Sequence, residues 1–195
     1  MLTKIIPEKS VEYFFKGKLE KVLSEQGVNA SEDAISYIST TMTNSLKTDE
    51  FYKRNSDHLD KKPLAFVLSD AIKSDYPQKY EKLRTIGDFS LIMSGFFEDN
   101  LKKLRRANLV NYYVQIGSIS YEALSEMFIK RYLNELFGEL SEKFIEFKDA
   151  LKIISLRTQL NDKNRVFDLF SKYISTRDEL LGRELKRAGF SLKMQ

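Results

Sequence analysis

Apolar residues recur every three or four positions along most of the chain. Val11, Phe15, Leu19 and Val22 form the first stripe, Pro7 falls where a first helical turn tolerates proline, and Gly27 stands at the helix end. Ser31 reads as the N-cap of a second helix, with Glu32 and Asp33 where the helix dipole favours carboxylates. Ile35, Ile38, Met42 and Leu46 supply its apolar side. The period is lost over residues 48–62, a polar and irregular stretch that predicts a mobile loop. Pro63 then opens a short helix carrying Leu64, Val67, Leu68 and Ile72, and Asp75-Tyr76-Pro77 starts another.

That next helix, over 76–97, has a face that turns small: Tyr80, Leu83, Gly87, Ser90 and Ser94 follow one another at steps of three and four. Small side chains let a second backbone come close. Gly95 is read as its end, and Glu98-Asp99-Asn100 begins a short helix running into Lys102, Lys103, Arg105 and Arg106. Beyond it, Tyr121, Leu124, Phe128, Tyr132 and Leu136 make one stripe and Ile129, Leu133, Phe137 and Leu140 an adjacent one, which predicts a central helix packed on two sides, with an end or a bend at Gly138. Phe144, Phe147, Leu151 and Ile154 continue the period, followed by Val166, Phe170 and Ile174, then Leu181, Leu185 and Ala188, with Gly189 as the last stop. No alternating strand and no repeat of fixed period is visible. The pattern predicts an all-α fold: a single helical-bundle domain of about seven to nine helices over residues 1–195.

Composition narrows the chemistry. There is no cysteine and one histidine, which excludes disulfides, thiol nucleophiles, iron–sulfur clusters and multi-histidine metal sites. The net charge is +4 from 32 basic and 28 acidic residues, with acids spread throughout, unlike the concentrated basic face of a nucleic-acid binder. No apolar run approaches the ~18–20 residues that span a bilayer, and Met1-Leu2-Thr3-Lys4-Ile5 does not begin a secretory signal, so a cytoplasmic location is expected.

Few residues invite a functional reading. His58 lies in Asp57-His58-Leu59-Asp60, where two acids would orient an imidazole; an ordinary solvated loop histidine explains it as well. Asp88 follows Gly87 in mid-helix, with Arg84 one turn earlier as the expected i, i+4 partner. A buried Asp88 would need a named partner, either a neighbouring helix or a ligand hydroxyl. Tyr112, Tyr113 and Tyr121 flank Gly117 and follow the Ser94-Gly95-Phe96-Phe97 corner; tyrosines with polar tips suit a pocket for an apolar ligand, and equally a core sealing helix ends. The acid-first, base-last order of 98–106 satisfies the helix dipole by itself, and Arg183, Lys186, Arg187 and Lys193 read as a solvated basic face. No phosphate loop, nucleophile elbow or zinc-protease motif is present, and no catalytic residue, metal ligand or cofactor is assigned.

The residues Leu83-Arg84, Gly87-Asp88, Leu91 and Ser94-Gly95-Phe96-Phe97, followed by Tyr112-Tyr113, Gly117 and Tyr121, resemble a family of uncharacterised bacterial helical proteins, as does Lys62-Pro63-Leu64-Ala65. The resemblance implies a bacterial, cytoplasmic, all-helical protein and transfers no activity. It singles out Gly87, Asp88, Ser94, Gly95, Tyr113 and Gly117 as one constellation, to which the spacing adds Tyr112 and Tyr121 as candidate ligand-binding residues. The expectation is a non-enzymatic protein acting by self-association or by binding another protein. A carrier or sensor of an apolar small molecule, with its pocket between the 76–97 and 112–136 helices, comes second, and a carboxylate-based enzyme third.

Overall fold

The computed structural model describes residues 8–47, 63–103, 108–128 and 131–190, and within them the chain is a succession of helices joined by short turns, with no strand. The expected loop at 48–62, with His58, lies outside the described residues, as do Arg105 and Arg106. The described residues form ten helices, in order: α1 (Glu8–Gln26), α2 (Glu32–Lys47), α3 (Leu64–Ile72), α4 (Gln78–Ser94), α5 (Glu98–Lys103), α6 (Leu109–Glu126), α7 (Arg131–Glu142), α8 (Phe144–Leu160), α9 (Lys163–Thr176) and α10 (Glu179–Arg187).

The punctuation seen in the sequence sets the early boundaries. After α1 the N–H groups of Gly27 and Val28 bond back to the carbonyls of Ser24 and Leu23 at 3.1 and 2.9 Å, closing the helix in a Schellman turn. Ser31 caps α2 as expected: its Oγ accepts the Ala34 N–H at 3.1 Å. The same turn is fastened from outside. Glu139 of α7 accepts the Ser31 N–H at 3.0 Å, and Lys143 donates to both Glu139 (2.9 Å) and the Asn29 carbonyl (2.6 Å).

The apolar run across 121–154 is cut twice. α6 stops at Glu126 and α7 starts at Arg131, so the expected single central helix is two helices that pack together: the first stripe is divided between them, Tyr121 and Leu124 on α6 and Tyr132 and Leu136 on α7, and Leu133, Phe137 and Leu140 of the second lie on α7. The second cut falls at Lys143, not at Gly138, which lies inside α7. Lys143 sits at φ −100°, ψ 25°, a conformation open to any residue, so no glycine marks the joint.

Two apolar cores result. The principal one draws on α1–α4 and α6–α8; Leu19, Ile38, Leu83, Tyr121, Phe137, Phe144 and Phe147 are its most enclosed large side chains. Each such side chain contributes ~1.5–3 kcal/mol through burial. Its tightest pairing is α4 against α6. A second, smaller core joins Leu156 of α8 to Leu169 of α9 and to Leu181 and Leu185 of α10, with Phe170 and Tyr173 against it. The α9–α10 pair therefore rests on α8 as an annex to the main body. Among the described residues no helix is long and apolar enough to cross a membrane.

Candidate functional site

Helix α4 carries Asp88 partly buried toward α2 and α6. Its Oδ1 accepts two hydrogen bonds, from the Tyr37 hydroxyl at 2.7 Å and the Tyr121 hydroxyl at 2.8 Å. One carboxylate oxygen thus ties three helices together. Oδ2 takes no hydrogen bond from the described residues. Arg84 is not the contact partner expected of it: its guanidinium pairs with Glu81 at 3.3 Å, lies 5.8 Å over the Tyr80 ring, and acts on Asp88 only through space. Burial pushes the Asp88 carboxyl up to about 6, against the two tyrosine hydroxyls and the Arg84 charge, which pull it down. Burial likewise raises the Tyr37 and Tyr121 hydroxyls, aided by the Asp88 charge, so both phenols stay protonated donors.

Aromatic rings enclose this knot. Phe137 stacks on Tyr121 with centroids 6.0 Å apart and meets the Tyr37 ring edge-on at 5.7 Å. The two glycines are explained by the same rings. A Cβ on Gly87 would lie 2.6 Å from the Tyr121 ring, and one on Gly117 would lie 2.4 Å from Phe144 and 2.8 Å from the Ser90 Cβ. At both positions the space beside the small face is filled by this chain's own aromatic side chains.

The remaining candidate residues disperse. Ser94 is fully buried and returns its hydroxyl to the Ser90 carbonyl at 2.7 Å, while the Ser90 hydroxyl is buried without a partner. Gly95 caps α4 against Leu151 and the Lys148 carbonyl of α8. Tyr112 donates no bond to the knot; its hydroxyl accepts the Ala65 N–H at 2.8 Å, holding the first turn of α3. Tyr113 lies against Phe89, with centroids 5.9 Å apart. Of the eight candidates, Gly87, Asp88 and Tyr121 meet at one point, Gly117 lies beside them against Ser90 and Phe144, Ser94 is buried and bonded to its own helix, and Gly95, Tyr112 and Tyr113 do other work.

Two charged clusters lie elsewhere. Glu98 of α5 is buried among Lys102 and, from α8, Lys152 at 3.1 Å and Lys148 at 3.5 Å. Burial pushes its carboxyl up, but the Lys102 hydrogen bond and the three ammonium charges hold it below the usual carboxylate range. Lys102 is thus bound to an internal partner. The other cluster lines a cleft of about 980 Å³ between the end of α1, α8 and α10. Arg157 grips Glu184 with Nε at 2.8 Å and Nη2 at 3.2 Å, and reaches Glu25 at 2.7 Å. Arg187 reaches the same Glu25 oxygen at 2.8 Å. The Arg157 hydrogen bond is the main cause that holds the Glu25 carboxyl low.

Tyr37, Arg157 and Glu184 were not singled out from the sequence, although each carried a signal. Tyr37 stands beside Ile38 on the side of α2 that faces inward, and a polar-tipped ring there calls for a buried acceptor. Glu184 lies between Leu181 and Leu185 on the inner side of α10, and a charge among buried leucines calls for a cation. No family model, curated protein or solved structure matches this chain.

Proposed function

We propose that this chain works by association with a second copy of itself, through the outer side of α9. The observation that carries this is a strip of apolar side chains left uncovered there. Phe167 is 77% and Ile174 53% exposed, and Phe170, at the i+3 position between them, is half-buried. Exposed apolar residues of this size gathered on one helix face favour an interface over solvent. Asn164, Ser171 and Ser175 share that side of α9, so burying it desolvates no charge between the two apolar residues. Ser171 stands at the middle, four residues after Phe167 and three before Ile174. Two α9 helices crossing in opposite directions at this small residue would set Phe167 of each against Ile174 of the other, a self-complementary two-fold contact.

The test is the mass of the full chain in solution by light scattering, across a concentration series. A concentration-dependent dimer that Phe167→Ser with Ile174→Ser converts to monomer, at unchanged helix content, is the expected result. A strict monomer at the highest concentration overturns the reading.

A second reading is supported by one cleft. Val114 and Ile119 of α6, with Phe144 and Ile145 of α8, line a space of about 300 Å³. Its size and apolar walls suit a small apolar molecule. Native mass spectrometry of freshly purified protein tests it: a retained ligand that Ile119→Asp releases supports the carrier reading, and bare protein counts against it.

A further inference from the structure

The geometry points to the cleft between α1, α8 and α10 as a binding site for a phosphate-bearing ligand, taken up by Arg183 and Lys186. The charges lining that cleft divide into those already matched and those not. Its three acids are satisfied: Glu25 and Glu184 by Arg157 and Arg187, and Asp149 by Lys148 at 2.7 Å. Arg183 and Lys186 are exposed in the same cleft and take no hydrogen bond or ion pair from the described residues. They are three residues apart on α10, hence on one side of it, and Arg187 follows Arg183 by one turn. Two unmatched positive charges on one wall therefore face a space of about 980 Å³.

A phosphate monoester fits this surplus. It carries about 1.5–2 negative charges at neutral pH, and a guanidinium presents two N–H groups to two of its oxygens. Ile153 and Leu180 give the cleft apolar surface on which the organic part of such an ester can rest. A nucleic-acid backbone fits poorly, because Glu25, Asp149 and Glu184 line the same cleft and would face its successive phosphates. The Arg157–Glu184 grip behind the two free cations keeps α10 in place without a ligand, so the wall is formed in advance.

The full chain would be titrated at constant ionic strength with phenyl phosphate, inorganic phosphate and benzyl alcohol, following the amide resonances of α10. Saturable binding of phenyl phosphate and none of benzyl alcohol is expected. The Arg183→Gln, Lys186→Gln double variant should weaken it about tenfold or more while leaving the circular-dichroism spectrum and Tm close to wild type, since neither side chain has a partner to lose among the described residues. Equal affinity for inorganic phosphate assigns the site to free phosphate; tighter binding of the phenyl ester assigns it to an organic phosphate. No saturable binding, or an affinity unchanged in a folded double variant, overturns the assignment.

Discussion

At Asp88, removing the side chain and neutralising it are different experiments. Asp88→Ala leaves the Tyr37 and Tyr121 hydroxyls without their acceptor, and each orphaned buried donor costs about 1–3 kcal/mol. Urea denaturation should show a loss of about 2–4 kcal/mol. Asp88→Asn keeps an acceptor oxygen and removes a desolvated charge, so it should stay within about 1 kcal/mol of wild type at pH 7. The two proteins should then part with pH. The Asp88 carboxyl rises from 3.8 to about 6 in the folded state, so the native chain holds that proton more tightly than the unfolded chain. The resulting stabilisation is present below the unfolded value and is lost as pH rises from about 4 to 6. Denaturation series at pH 4.5 and pH 7 should show wild type gaining on Asp88→Asn in the acid series; parallel behaviour would place the charge in solvent. Ser90 gives the opposite case. Its hydroxyl is buried and unpartnered, so Ser90→Ala should raise stability by up to ~1 kcal/mol.

At the scale of the helix, the α4–α6 pairing depends on two missing methyl groups. Gly117→Ala drives a carbon into the Phe144 ring, and Gly87→Ala drives one into the Tyr121 ring, which also holds Asp88. Each should cost about 1–3 kcal/mol by overpacking, read from thermal unfolding, with helix content retained. The same pairing marks how far the sequence could be read. The stripes, the Ser31 cap and the Gly27 stop were legible because they are local: a period, a hydroxyl three residues before an N–H, a glycine after the last turn. The small face of α4 was also visible, but what fills it was not. Tyr121 and Phe144 arrive from α6 and α8, and a row of small residues reads the same whether a ring or a ligand lies against it. The joint at Lys143 left no mark because its backbone angles suit any side chain.

Across the whole molecule, the main body and the α9–α10 annex are held by different forces. The body is packed around Leu83, Tyr121 and Phe137, whereas α10 is anchored by the small core in which its Leu181 and Leu185 meet Leu156 and Leu169, and by the Arg157–Glu184–Glu25–Arg187 quartet. Arg157→Met leaves Glu184, 5% exposed, with only the more distant Arg187 at 3.5 Å among the described residues, and should cost about 2–4 kcal/mol. Amide hydrogen exchange should show where: α9 and α10 should exchange faster, with α4 and α6 unchanged. Uniform acceleration would mean that the quartet supports the entire fold.

With the self-association proposed above, dissolved salt should act on this protein as a two-way control. At about 1 M the screening length falls to roughly 3 Å, which weakens the outer arm of the quartet, Arg187 to Glu25, and a separate ion pair that joins α9 to α5, Lys172 to Asp99 at 2.6 Å, more than the sheltered Arg157–Glu184 grip. The uncharged strip on α9 loses nothing to the added ions, and salting-out anions such as sulfate strengthen its burial. Brine should thus slacken the attachment of the C-terminal pair to the body while favouring the proposed pairing of two copies through α9.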